Sequence, residues 1–227
     1  MIELLILLVL IYLYLKLSKK DNFTQYNKEL LYVHIPKTGG TSIEDSLKKH
    51  DIDVGRFKSS MKNVELINNV ECEYWHIPPK NMKISFNDYN VFTVIRNPYQ
   101  RFISEYKHKH RLVEYDDINK FALALKKNPN PYKHNCHIIP QIEYLYDKDG
   151  EFVHNILRLE YIKDDFNELK NKYKLDENIE LLHNNQHTDD KGTKMNQDTI
   201  NFINEYYKED FDLFLQKGYY TKEELKY

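Results

Sequence analysis

An excess of charge of either sign is missing from this chain. Its 227 residues hold 33 Lys and Arg against 35 Asp and Glu, a net charge of −2. No overall basic field recruits nucleic acid, so any anion site has to be local. Cysteine is nearly absent: Cys72 and Cys136 supply neither a disulfide framework nor the four ligands of a structural zinc site. They are expected to be buried, inert thiols, with pairing as the alternative. The run His134-Asn135-Cys136-His137 lacks a second ligand pair at finger-like spacing, so no metal is expected. Internal repeats and low-complexity tracts are also missing.

What is present is long enough for one compact domain and short for two. Residues 1–17 form the one long apolar run, broken only by Glu3 and Lys16 and closed by Ser18-Lys19-Lys20-Asp21. At ~17 residues such a run spans a bilayer if its terminal charges snorkel. It has neither the basic start nor the small-residue cleavage site of a signal peptide. An uncleaved single-pass anchor over 1–17, a linker over 18–29 and a catalytic domain over 30–227 are therefore expected. Lys16, Lys19 and Lys20 after the span favour a cytoplasmic domain, whereas the glycosylation sequon Asn22-Phe23-Thr24 favours a lumenal, Golgi-type setting.

Three short apolar stretches read as buried strands: Leu30-Leu31-Tyr32-Val33-His34-Ile35, Val91-Phe92-Thr93-Val94-Ile95 and residues 153–159. Helices are expected over 42–49, with Thr41 and Glu44 as a capping box, and from Asn97-Pro98 to about 112. Further helices are expected over 117–127, over 164–173 and along 196–216. Strands alternating with helices predict an α/β domain with a central, mostly parallel sheet flanked by helices.

The chemistry begins at Pro36-Lys37-Thr38-Gly39-Gly40-Thr41-Ser42, between the first strand and the first helix. Adjacent glycines permit positive φ and close approach, and the N–H groups at the helix start point into the turn. Lys37 adds a point charge; Thr38, Thr41 and Ser42 add hydroxyls. An ATP-binding P-loop places Lys after its glycines, whereas here Lys37 precedes them. The second strand ends in Ile95-Arg96-Asn97-Pro98-Tyr99-Gln100-Arg101-Phe102-Ile103-Ser104. Arg96 at the strand end and Ser104 two turns into the next helix can converge on one anion. Arg101 is read as a helix-surface ion pair with Glu105.

Together these segments resemble the sulfotransferase superfamily, in particular its membrane-associated carbohydrate branch with uronosyl and chondroitin enzymes. The resemblance implies a P-loop NTPase-like domain, 3'-phosphoadenosine-5'-phosphosulfate (PAPS) as donor and adenosine 3',5'-bisphosphate as product. Residues 34–42 resemble the loop that holds the 5'-phosphosulfate, and R-N-P-x-x-R-x-x-S over 96–104 the segment that grips the 3'-phosphate. Fainter likenesses run through His137-Ile138-Ile139-Pro140-Gln141, Leu159-Glu160-Tyr161, Tyr206-Tyr207 and Asp210-Phe211. Tyr74-Trp75-His76 falls where uronosyl-type members carry a catalytic histidine, although Trp75 stands where Gly or Lys is common. The expected roles are Lys37 on the bridging oxygen, Thr38, Gly39, Gly40, Thr41 and Ser42 around the 5' end, Arg96 and Ser104 at the 3' end, and His76 as base. The acceptor is expected to be a glycan hydroxyl. A P-loop-like small-molecule kinase and a non-catalytic nucleotide- or glycan-binding protein are the competing readings.

Overall fold

The computed structural model describes residues 28–68, 70–108, 114–128, 130, 132, 134–182 and 192–227. The expected anchor over 1–17, the sequon and nearly all of the linker lie outside them. Among the described residues no helix is long and apolar enough to cross a membrane.

Three strands, β1 (Leu30–Val33), β2 (Asn90–Ile95) and β3 (Asn155–Arg158), form one parallel sheet in the order β1-β2-β3. All six residues of central β2 are buried, as expected of a strand covered on both faces. Side chains alternate along a strand. Leu31, Val33, Val91 and Ile95 accordingly enter one core with Phe86, Tyr144 and Phe214. Tyr32, Phe92, Val94 and Leu157 enter the other. That second core is closed by Ile43 and Leu47 of α1 (Gly40–Lys48) and by Phe166 and Leu169 of α4 (Ile162–Tyr173). A third cluster joins α2 (Pro98–Tyr106), α3 (Ile118–Lys127) and α5 (Gln197–Tyr206) through Phe102, Phe121 and Ile203. The molecule is thus α/β, with a parallel sheet flanked by helices.

Local chemistry sets most boundaries. Asn97 caps α2 by accepting from the N–H groups of Tyr99 and Gln100, with Pro98 at the first helical position. Asp117 caps α3 and Asn196 caps α5 in the same way. Three expectations are corrected. Helix α2 ends at Tyr106, and residues 109–113 lie outside the described set. The tail is two helices, α5 and α6 (Lys208–Gln216), because Tyr207 leaves helical geometry (φ −105°, ψ 23°) and donates its hydroxyl to the Ile138 carbonyl. The Thr41–Glu44 capping box does not form: α1 starts earlier, on Gly39, without a side-chain cap, and Glu44 turns inward, fully buried.

The two cysteines are not free thiols. Cys72 and Cys136, 64 residues apart, form a disulfide with Cα atoms 5.9 Å apart. Closing a loop of that length removes about 4 kcal/mol of chain entropy from the unfolded state. Replacing both cysteines with serine is therefore expected to lower unfolding stability by roughly 2–4 kcal/mol, measured by denaturant titration.

Candidate active site

Both sequence motifs arrive at the carboxyl edge of the sheet, where parallel α/β sheets gather their ligands. β1 delivers residues 34–41 and β2 delivers Arg96. The turn between β1 and α1 is tight in a specific way. Lys37 holds φ 70° and Gly39 φ 86°. A residue with a Cβ enters the left-handed region at a cost of ~1–3 kcal/mol, and such positions concentrate where function demands them. A Cβ on Gly39 would strike the Leu159 side chain, and one on Gly40 would collide with Nε2 of His34. The two glycines therefore bring the backbone against its surroundings while the first N–H groups of α1, which have no intrahelical acceptor, face the turn.

The side chains of the loop divide. Thr38 is fully buried and donates its hydroxyl to the Ile35 carbonyl at 2.8 Å, which fixes the turn. Thr41 and Ser42 are half-buried. The Lys37 ammonium donates to Nδ1 of His108 at 3.1 Å.

Arg96 meets this loop from β2, donating to the Lys37 carbonyl at 3.2 Å. Burial of its guanidinium pushes its pKa down, with Glu160 opposing. Its backbone is held on both sides by one side chain: Gln141 accepts from the Arg96 N–H at 2.9 Å and donates to the Arg96 carbonyl at 2.8 Å. Gln141 is in turn fixed by Asp210 of α6, whose carboxylate accepts from the N–H groups of Gln141 and Ile142. Asp210 is fully buried, which raises its pKa to about 6 against the opposing charge of Arg101.

Helix α2 carries a polar stripe at helical spacing, Arg101, Ser104, Glu105 and, just past its end, His108. Ser104 is half-buried on this stripe. Arg101 is not the surface ion pair expected of it. It is 2% exposed and donates from Nε to the Pro36 carbonyl at 2.9 Å and from Nη2 to the His137 carbonyl at 2.8 Å, with its guanidinium over the Tyr207 ring. Its remaining Nη1 is buried without a partner. Glu105 bonds to His137 instead.

Three buried histidines form a row beside the loop. His76 lies edge-on to His34 and to His137, with ring centroids 4.9 and 4.8 Å apart. Nδ1 of His34 is 2.7 Å from Glu44, and Nδ1 of His137 is 2.8 Å from Glu105. His76 has no such carboxylate, and its Nδ1 is buried unpartnered. Burial and then the two flanking imidazoles lower its pKa strongly, so it is neutral at ordinary pH. The segments carrying His76 and His137 are tied twice, by the disulfide and by Tyr144, whose hydroxyl lies 3.0 Å from the His76 and Cys136 carbonyls.

Of the residues singled out from sequence, Lys37, the 38–42 turn and Arg96 come together directly, and His76 joins the row alongside them. From sequence, Glu44 has only a capping role and Arg101 and Glu105 only that of a surface ion pair, while Gln141 and Asp210 have none. The fainter likenesses around Gln141 and Asp210 were the one available signal.

Fit to a phosphorylated ligand follows from the chemistry of this donor set. A lysine ammonium, a half-buried arginine and the helix-start N–H groups of a Gly-Gly turn are a donor set suited to an anion. Among protein families, the model described as "Sulfotransferase family" matches residues 20–217. No curated protein and no solved structure matches the chain.

Proposed function

The chain belongs to the sulfotransferase family, and from that premise we propose that it moves a sulfuryl group from PAPS to a hydroxyl of a carbohydrate acceptor. The observation that carries this reading is the meeting of two motifs 59 residues apart, Arg96 donating to the carbonyl of Lys37 itself. A lysine-led glycine turn and an arginine so joined suit the two ends of one bisphosphorylated nucleotide.

Sulfuryl transfer resembles phosphoryl transfer in depending on in-line positioning and charge stabilisation. Lys37 neutralises the charge that develops on the departing phosphate. The N–H groups of the 38–42 turn, opened by Gly39 and Gly40 and shaped by the Thr38 hydroxyl on Ile35, hold the 5' end with the Thr41 and Ser42 hydroxyls, and Arg96 with Ser104 holds the 3' end. His76, kept neutral by burial, is positioned to draw on the acceptor hydroxyl. A sugar is favoured as acceptor by the aromatic faces of Tyr74 and half-buried Trp75, which stands edge-on to His76 with ring centroids 5.6 Å apart.

The disulfide supports one of the two compartments. Bonds of this kind persist in oxidising surroundings, which favours a lumenal domain held by the anchor over residues 1–17, and the sequon at Asn22 agrees with that side.

Calorimetry with adenosine 3',5'-bisphosphate tests the assignment. The unaltered chain is expected to bind it, with Lys37→Ala and Arg96→Ala each losing roughly tenfold or more in affinity, about 1.4 kcal/mol per tenfold. Uptake indifferent to both substitutions sinks the reading. Turnover of ATP with magnesium in place of PAPS favours the kinase alternative, and nucleotide binding without turnover of any acceptor favours the binding module.

A further inference from the structure

We propose that the acceptor's proton comes to rest on His137, and that Glu105 is the positioning residue that makes His137 able to hold it. This role rests on the sulfuryl-transfer reading above and adds to it the fate of the proton.

The three imidazoles of the row have three different surroundings. His34 has its Nδ1 taken by Glu44, and its Nε2 packs so near Gly40 that no Cβ fits between them. It braces the loop. His76 has no carboxylate to balance a positive charge, and its burial between two other imidazoles makes the charged form costly. A proton passed to it does not stay. His137 differs from both. Its Nδ1 faces Glu105 at 2.8 Å, which leaves Nε2 as the basic nitrogen, and its ring touches His76 on one side and His108 on the other. His108, on that second side, accepts from the Lys37 ammonium at 3.1 Å, which joins the row to the residue assigned to the leaving oxygen.

Helix α2 holds His137 at two points. Glu105, 2% exposed, orients the ring, and Arg101 one turn earlier donates to the His137 carbonyl. A buried carboxylate behind an imidazole fixes the tautomer and stabilises the cation that forms when the ring takes a proton. The step balances as follows. The acceptor oxygen forms a bond to sulfur, and the bond from sulfur to the bridging oxygen breaks. Its electron pair stays on the phosphate of adenosine 3',5'-bisphosphate, and the hydroxyl proton moves to Nε2 of His137, by way of His76 or directly. Burial lowers the pKa of His137, Glu105 raises it, and the charges of Lys37 and Arg101 lower it. Removing the carboxylate's charge therefore lowers it further.

Nitrogen-15 NMR of the imidazoles, on the full chain in detergent with adenosine 3',5'-bisphosphate bound, tests this without an acceptor. His137 is expected to carry its proton on Nδ1 and to titrate at lower pH in Glu105→Gln, whose amide oxygen still accepts from Nδ1. A proton on Nε2, or a midpoint unmoved by Glu105→Gln, overturns the proposal. In sulfation assays with PAPS and desulfated chondroitin or heparosan, His137→Gln is expected to lose about 10²–10⁴ in kcat. Glu105→Gln is expected to lose about tenfold and to shift the acid limb of the kcat profile to lower pH. Nucleotide affinity stays unchanged in both. Sulfation that survives His137→Gln overturns the role alone. Failure of the unaltered chain to sulfate either acceptor, nucleotide still binding, counts against the sulfuryl-transfer reading itself and takes this role with it.

Discussion

Replacing Lys37 with glycine is expected to cut turnover by about 10²–10³ while leaving the protein at least as heat-stable as before. Lys37 sits at φ 70°, where glycine is at ease and lysine is strained. The strain relieved is about 1 kcal/mol, and the added freedom of glycine in the unfolded chain offsets much of it. The chemical loss is far larger. An ammonium aimed at charge appearing on a leaving oxygen is worth about 10²–10³ in kcat when removed. Its donation to His108 does not compensate, because that contact at 3.1 Å only parks the side chain on the polar stripe of α2. Arginine at 37 is not expected to rescue, since its planar fork replaces a compact point charge in a turn of fixed geometry. Thermal unfolding alongside single-turnover assays with PAPS reads both halves. A variant that loses stability in proportion to its activity would make Lys37 a structural residue.

The same strained turn shows which parts of the molecule could be read from sequence. Leu30 to Val33, Val91 to Ile95 and the Asn97-Pro98 helix start were legible because strand and cap signals are local, and their order implied a parallel α/β sheet, although the first strand stops two residues short of the apolar run's end at Ile35. The two motifs were legible because each is contiguous. What could not be read depends on contacts across long separations. Glu44 has the spacing of a capping residue, yet its carboxylate goes to His34, ten residues away. Arg101 and Glu105 have the spacing of a surface pair. The face they share is turned against residues 36 and 137 instead, so each finds a partner there: two carbonyls for Arg101, an imidazole for Glu105. The disulfide likewise needed Cys72 and Cys136 to be brought together by β2 and the loops on either side of it. Spacing names the helix face but not what the face meets.

Arg101→Leu is expected to cost about 3–5 kcal/mol of stability, the usual result of removing one partner from a buried charged network, and to lower the urea midpoint by about 1–2 M. Leucine fills much of the space but leaves the Pro36 and His137 carbonyls without donors in a buried setting. Arg101→Lys keeps the charge but cannot reach both carbonyls with a fork, so it should fall between leucine and the unaltered chain. The deficit should also depend on pH. Asp210 has a folded pKa raised to about 6 from 3.8, with burial as the cause and Arg101 opposing it. A raised carboxyl favours the folded state while protonated, so its contribution declines as pH climbs from about 4 through 6. Without Arg101 the folded pKa rises further and the decline continues to higher pH. The difference between Arg101→Leu and the unaltered chain is therefore expected to widen between pH 5 and pH 8. Because Asp210 holds Gln141, and Gln141 holds Arg96, nucleotide affinity should weaken along with it. A deficit independent of pH would place Asp210 outside the influence of Arg101 and confine the loss to the two carbonyls.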